Sequence, residues 1–192
     1  MIRKILAFIF VISVIIPWKL SWAENYSFRH TNWGMAQEEV LAAERVDPIE
    51  KNENMVKYEV QLLGKNFVLT YLFFENRLVG SVYILDEKFL NSEHYIQMYT
   101  ELKEELIKKY GQPSRETTNW ANDTYKNVRK KWGLALSLGH FDYVTAWDTQ
   151  NTTIDCSLSA ENYNVLCVVE YWSTEYSQLA KQIKKEDKLD PF

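Results

Sequence analysis

Histidine, glycine, proline and cysteine are all scarce in this 192-residue chain, which holds three His, six Gly, four Pro and two Cys. With His30, His94 and His140 as the whole stock, a metal centre or a nucleophile–base pair has little to be built from. The few glycines form neither a G-x-G-x-x-G nor a G-x-x-x-x-G-K phosphate loop, and no G-x-S-x-G elbow is present. A basic stripe is missing too: 22 Lys and Arg stand against 26 Asp and Glu, a net charge of −4. That balance argues against a nucleic-acid partner. After the first 23 residues no apolar run approaches the roughly 20 residues that a membrane helix requires. The sequence therefore leads us to expect no cofactor, no metal, no nucleic acid, no catalytic motif and a mature chain that does not span a membrane.

What is present begins with a leader. Residues 1–23, MIRKILAFIFVISVIIPWKLSWA, open on Arg3 and Lys4, continue through an apolar run and end at Ser21-Trp22-Ala23, the pattern of a secretory signal peptide cleaved after Ala23. Pro17 and Lys19 interrupt the run before it could serve as a spanning anchor. Residues 24–192 then form a single domain of ordinary size, expected in the periplasm or outside the cell.

Along that domain the apolar period changes several times. A short helix is expected from about Ala36 to Glu44, ended by Asp47-Pro48. VKYEVQL (56–62), NFVLTYLFF (66–74) and RLVGSVYIL (77–85) read as strands, the middle one apolar on both faces. Tyr95, Tyr99, Leu102, Leu106 and Tyr110 recur at helical spacing, with Asn91 or Ser92 as cap and Gly111 with Pro113 as the stop. Residues 114–127 are polar and read as a loop, and 128–139 fit a helix or a strand equally well. HFDYVTAWD (140–148), TTIDCSLS (152–159) and NVLCVVEYW (164–172) read as a second set of strands, and Tyr176, Leu179, Ala180 and Ile183 mark a last amphipathic helix. This order predicts an α+β fold: an antiparallel sheet of about six strands with helices packed against it in two layers.

WGMAQEEV at residues 33–40, followed by hairpin strands and then YGQP at 110–113, resembles the Gly-Met-(Ser/Thr)-x-x-x-Val openings of small bacterial envelope domains. The outer-membrane assembly lipoprotein BamE and the β-lactamase inhibitor protein exemplify that group. Here Ala36 stands where the group has a hydroxyl, and the lipoprotein cysteine is missing. The resemblance implies a two-layer α/β architecture and action by binding proteins. It assigns no functional residue.

Four residues and one constellation remain as candidates. Cys156 and Cys167 lie on strands flanking a turn near Glu161-Asn162, equidistant from it and on inward faces, which predicts a disulfide in an exported chain; two buried free thiols are the alternative. Aromatic residues make up 15% of the chain, enough to fill a core and still supply a surface for a partner. Tyr143 and Trp147 share one face of a strand and are the candidate partner-binding rings. His140-Phe141-Asp142 could pair an imidazole with a carboxylate, although a structural hydrogen bond is the commoner outcome. The functional expectation is a non-catalytic envelope protein that binds an envelope protein or a small apolar ligand. The competing reading is a hydrolase of cell-wall or extracellular glycans, which needs two carboxylates from a set including Glu59, Glu75, Asp142, Asp148, Asp155 and Glu170. Export is checked directly: mature protein recovered from the envelope or medium should begin at Glu24, and an intact Met1 in the membrane fraction would contradict it.

Overall fold

The computed structural model describes residues 26–178. The leader and the greater part of the expected last helix lie outside that range. Within it the chain runs α1 (Gln37–Glu44), β1 (Glu50–Lys51), β2 (Met55–Leu62), β3 (Lys65–Phe74), β4 (Arg77–Leu85), α2 (Glu93–Tyr110), β5 (Arg115–Trp120), α3 (Trp132–Ser137), β6 (Phe141–Asp148), β7 (Thr152–Glu161) and β8 (Asn164–Ser173). The fold is α+β, with one antiparallel sheet in the order β1-β2-β3-β4-β8-β7-β6-β5. The first half of the chain is α1 followed by β1–β4, the second is α2 followed by β5–β8 with α3 inserted between β5 and β6, and the two halves meet where β4 pairs with β8.

Three of the hairpins close on two-residue turns with positive φ at both positions, at Leu63-Gly64, Glu75-Asn76 and Asn162-Tyr163. Such turns match the right-handed twist of the flanking strands, which is why they join tight antiparallel pairs. Asn76 has a second role. Ala36 brings no side-chain oxygen to the start of α1, and the Asn76 side-chain oxygen accepts from Gln37 N–H at 3.0 Å instead. Glu39 completes the cap by accepting from Ala36 N–H at 2.8 Å.

Alternation sorts the strand side chains into two sets. Phe67, Leu69, Tyr71 and Phe73 of β3 join Val56 and Tyr58 of β2, Ile154, Cys156 and Leu158 of β7, and Cys167, Val169 and Tyr171 of β8 in the main core. Onto this face α2 lays Tyr95, Ile96, Met98, Tyr99, Leu102 and Leu106, close to the stripe expected from the sequence; Tyr110 is half-buried at its end. Asn91 accepts from Glu93 N–H at 3.0 Å, while Ser92 instead bonds Ser137 of α3 at 2.6 Å. α3 approaches so closely that a Cβ on Gly133 would stand 2.8 Å from the Glu93 backbone nitrogen.

Among these rings lies one buried charge. The Glu44 carboxylate, at the end of α1, is gripped by Arg29 through two bonds of 2.9 Å and also accepts from the Tyr71 hydroxyl. Arg29 in turn donates to the Tyr83 hydroxyl at 3.3 Å. An isolated carboxylate here would be costly, so the fork of Arg29 and the phenol are conditions for burying Glu44.

Two expectations need correction and one open reading is decided. The sheet has eight strands, not about six: β1 is only two residues long, and β5 lies inside the polar stretch expected to be a loop. β5 is an edge strand, and RETTNW carries little apolar signal because most of its side chains are exposed. Residues 128–139, ambiguous in sequence, form a 3₁₀ turn at Arg129–Lys131 followed by α3. The second correction concerns the cysteines. Both are buried and face the core, but they are free. The turn centres on Asn162-Tyr163, not Glu161-Asn162, and a one-residue displacement of the turn shifts the pairing by two. Cys156 therefore faces Val169, and Cys167 faces Leu158. The two are diagonal neighbours, a relation that typically separates Cα atoms by about 7–8 Å, beyond the usual span of a disulfide. Protein denatured without reductant should thus yield two alkylatable thiols by mass spectrometry; none would contradict this register.

Burial also sets a response to alkali. It raises Cys156 well above its ordinary value of 9.0 and pushes Cys167 up to about 12. It likewise raises the phenols of Tyr71, Tyr83, Tyr99 and Tyr171 above 10.0. Above these ordinary values the unfolded chain loses protons that the folded chain keeps, so stability falls as pH rises. The contribution is intact below pH 9 and is lost progressively from there upward. Urea midpoints should drop between pH 8 and 11, with buried-tyrosinate absorbance emerging together with unfolding; a flat profile would contradict the burial of these groups.

Candidate functional site

The two rings expected to bind a partner part company in the structure. Trp147 is 2% exposed, and its indole N–H donates to the Gly111 carbonyl at 2.9 Å. It fastens the end of α2 to β6 and is excluded as a surface ring. Tyr143, four residues earlier on the same face, is only half-buried. It stacks on Tyr99 of α2 with centroids 5.1 Å apart and planes within 10°. The difference comes from position along the strand, since the C-terminal end of β6 meets the end of α2 and Tyr143 sits nearer the margin.

Tyr143 belongs to an aromatic ledge. Phe141, buried beneath it, touches Tyr143 edge-on at 5.1 Å and Trp120 of β5 at 4.6 Å. Trp132, opening α3, meets Trp120 at 5.5 Å and Phe141 at 5.7 Å. The Arg129 guanidinium lies 4.7 Å over the Trp132 ring and bonds Glu93 at 2.7 Å. Trp120, Trp132 and Tyr143 are each half-buried, so Phe141 anchors the group while the outer rings keep a face or edge in solvent. Burial raises the Tyr143 phenol, against the lowering effect of Arg129, with Glu93 and Glu116 adding to the rise. It stays a neutral donor at physiological pH.

The ledge adjoins the sheet margin. β5 pairs only with β6, and among the described residues no strand lies beyond it. In the register Trp120 faces Phe141 and Thr118 faces Tyr143, so the rings line the helix-bearing side immediately inside this margin. A strand at an edge offers unpaired N–H and C=O groups to an added strand. Beside it opens a hollow of about 840 Å³ lined by Asn91, Glu93, Arg129, Lys130, Lys131 and Leu134. Its charged lining is unlike the apolar chamber that a small apolar ligand occupies.

The chemical candidates do not assemble. His140 stacks on Tyr125 at 5.7 Å, and its Nδ1 is buried without a partner. Asp142 accepts from Asn119 at 2.7 Å, not from His140. Asp148 accepts from Ser114 at 2.8 Å and Glu170 from the Trp172 indole at 2.7 Å. None of the six strand carboxylates considered for glycan hydrolysis lines the large hollow or a second one, of about 430 Å³, between residues 26–29 and the end of α2. Among the described residues no group of three His, Cys, Asp or Glu could hold a metal ion, and no helix is long and apolar enough to cross a membrane.

Sequence reasoning missed Trp120, Trp132 and Arg129. Trp120 is the one large apolar residue closing a polar stretch, and that isolation was the available signal. Trp132 was visible as helical spacing with Val128 and Ala135, but not its proximity to β5. No protein-family model, curated protein or solved structure matches the chain.

Proposed function

We propose that this chain is an exported, non-catalytic envelope protein that binds an extended segment of a partner protein along β5. The partner strand pairs with the β5 backbone and lays alternate apolar side chains against Trp120, Trp132 and Tyr143. The observation that carries this reading is the juxtaposition of half-buried rings with an edge strand beyond which no described strand lies. Main-chain pairing supplies affinity in strand addition, and pockets for alternate side chains supply selectivity. Large rigid aromatics are the side chains that most often dominate binding energy. The resemblance of WGMAQEEV and YGQP to protein-binding envelope domains supports the same class, and the leader supports export. We include in this proposal the two-layer architecture implied by that group.

Photo-crosslinking tests it. A photoreactive residue at Thr118 should give a discrete protein adduct in the native envelope. The combined Trp120→Ala and Tyr143→Ala changes should weaken that partner's binding by about tenfold or more while preserving the cooperative unfolding transition. Absence of adducts from Thr118 and its neighbours, together with glycan hydrolysis abolished by changing one strand carboxylate, would replace this reading with the hydrolase.

A further inference from the structure

Where α3 meets the start of α2, two separate segments gather cations and exposed leucines, although the chain as a whole carries a net charge of −4. The first segment is the approach to α2. Phe89 is fastened there, its backbone N–H donating to the Tyr95 hydroxyl at 3.1 Å and its ring lying 4.8 Å from the Tyr95 ring. Leu90, next in the chain, is fully exposed. The second segment runs from Arg129 to Leu138. Arg129, Lys130 and Lys131 are consecutive and exposed. Behind them Leu134 and Leu138, four residues apart at α3, are both exposed on one face. Asn91, the three cations and Leu134 border the same hollow of about 840 Å³.

The two segments are locked together. Arg129 bonds Glu93 at 2.7 Å, Ser92 bonds Ser137 at 2.6 Å, and Gly133 lets α3 press against the Glu93 backbone. The patch is therefore ordered before any partner arrives, which lowers the entropy lost on binding. Glu93 neutralises Arg129, but among the described residues Lys130 and Lys131 have no ion-pair partner. Two uncompensated cations thus stand beside three exposed leucines on an otherwise acidic molecule.

We infer that this face docks the protein on an anionic phospholipid surface. Lys130 and Lys131 meet the headgroup phosphates, while Leu90, Leu134 and Leu138 enter the boundary between headgroups and acyl chains. Single exposed leucines need no explanation, but leucines grouped beside unpaired lysines combine the two forces that hold proteins on membrane surfaces. Neither force suffices alone, since attraction of a few cations is screened by salt and shallow leucines bury little area. An acidic protein segment would satisfy the lysines yet would have to supply a socket for Leu90; a fluid layer needs none. The inference does not depend on strand addition at β5, because no β5 residue borders this hollow.

Co-sedimentation of the leaderless chain, residues 24–192, with lipid vesicles tests it. Vesicles of phosphatidylcholine with about one-third phosphatidylglycerol should bind the chain several-fold more tightly than phosphatidylcholine alone, and added salt should narrow the difference. Lys130→Glu with Lys131→Glu should weaken binding to the anionic vesicles about tenfold or more at low salt. Leu90→Ser with Leu134→Ser should weaken it several-fold at low and high salt alike. All four side chains are exposed, so the cooperative unfolding transition should be unchanged in both variants. Equal binding to both kinds of vesicle, no binding to either, or undiminished binding by the lysine variant would overturn the inference. Displacement by inorganic phosphate at constant ionic strength would reassign the lysines to a free anion. Capture of a glutamate-rich peptide without vesicle binding would reassign the face to a protein; either result would also overturn it.

Discussion

The pairing of β4 with β8 is the interaction on which the remaining architecture depends. Every other ladder in the sheet joins strands adjacent in sequence, each closed by a local connection. β4 and β8 are brought together across the second helix and three intervening strands, in a register that runs from Gly80–Trp172 to Ile84–Val168. Such a non-local ladder carries a larger closure entropy than a hairpin, and it is favourable only once apolar surface on both sides is covered. On one side α2 supplies that cover. On the other, Gly80 leaves room for the Trp172 ring to lie against the β4 backbone. Once this central pair is set, β1 and β5 become the outer strands by exclusion.

The buried ion pair reinforces the first half in the same way. Glu44 ends α1, Arg29 precedes it, and Tyr71 and Tyr83 come from β3 and β4. Four separate pieces of chain must be in place before the carboxylate is satisfied. Removing Arg29 alone would leave a buried, unpaired charge, a change that typically costs about 3–5 kcal/mol. Geometry of this kind favours one arrangement of the segments over near alternatives more than it adds net stability.

Much of this was legible in the sequence, and the failures have specific causes. The period of α2 and the alternation of the six longer strands reflect how each element divides between core and surface, and a single chain reports that division directly. β5 was hidden because an exposed edge strand has no buried face to enforce alternation. Cys156 and Cys167 were placed on the correct face but in the wrong pair, because alternation fixes faces while the turn fixes register. Tyr143 and Trp147 show a further limit. Sequence places them on one face, yet only the packing around each ring, Gly111 at the end of α2 over Trp147 and Tyr99 beside Tyr143, determines that one is covered and the other half-exposed. The ledge was illegible for a related reason, since Trp120, Trp132 and Phe141 come from three elements whose proximity depends on β5 existing.

Native-state hydrogen exchange measures the central claim most directly, namely one sheet centred on β4 and β8 with β5 as its open edge. In the isolated protein, amides of β4 and β8 should exchange most slowly, near the rate set by global unfolding, while the outward-facing amides of β5 should exchange rapidly. Protection of β5 equal to that of β8 would show the edge already covered, and fast exchange along β8 would show that the two halves are not joined as described.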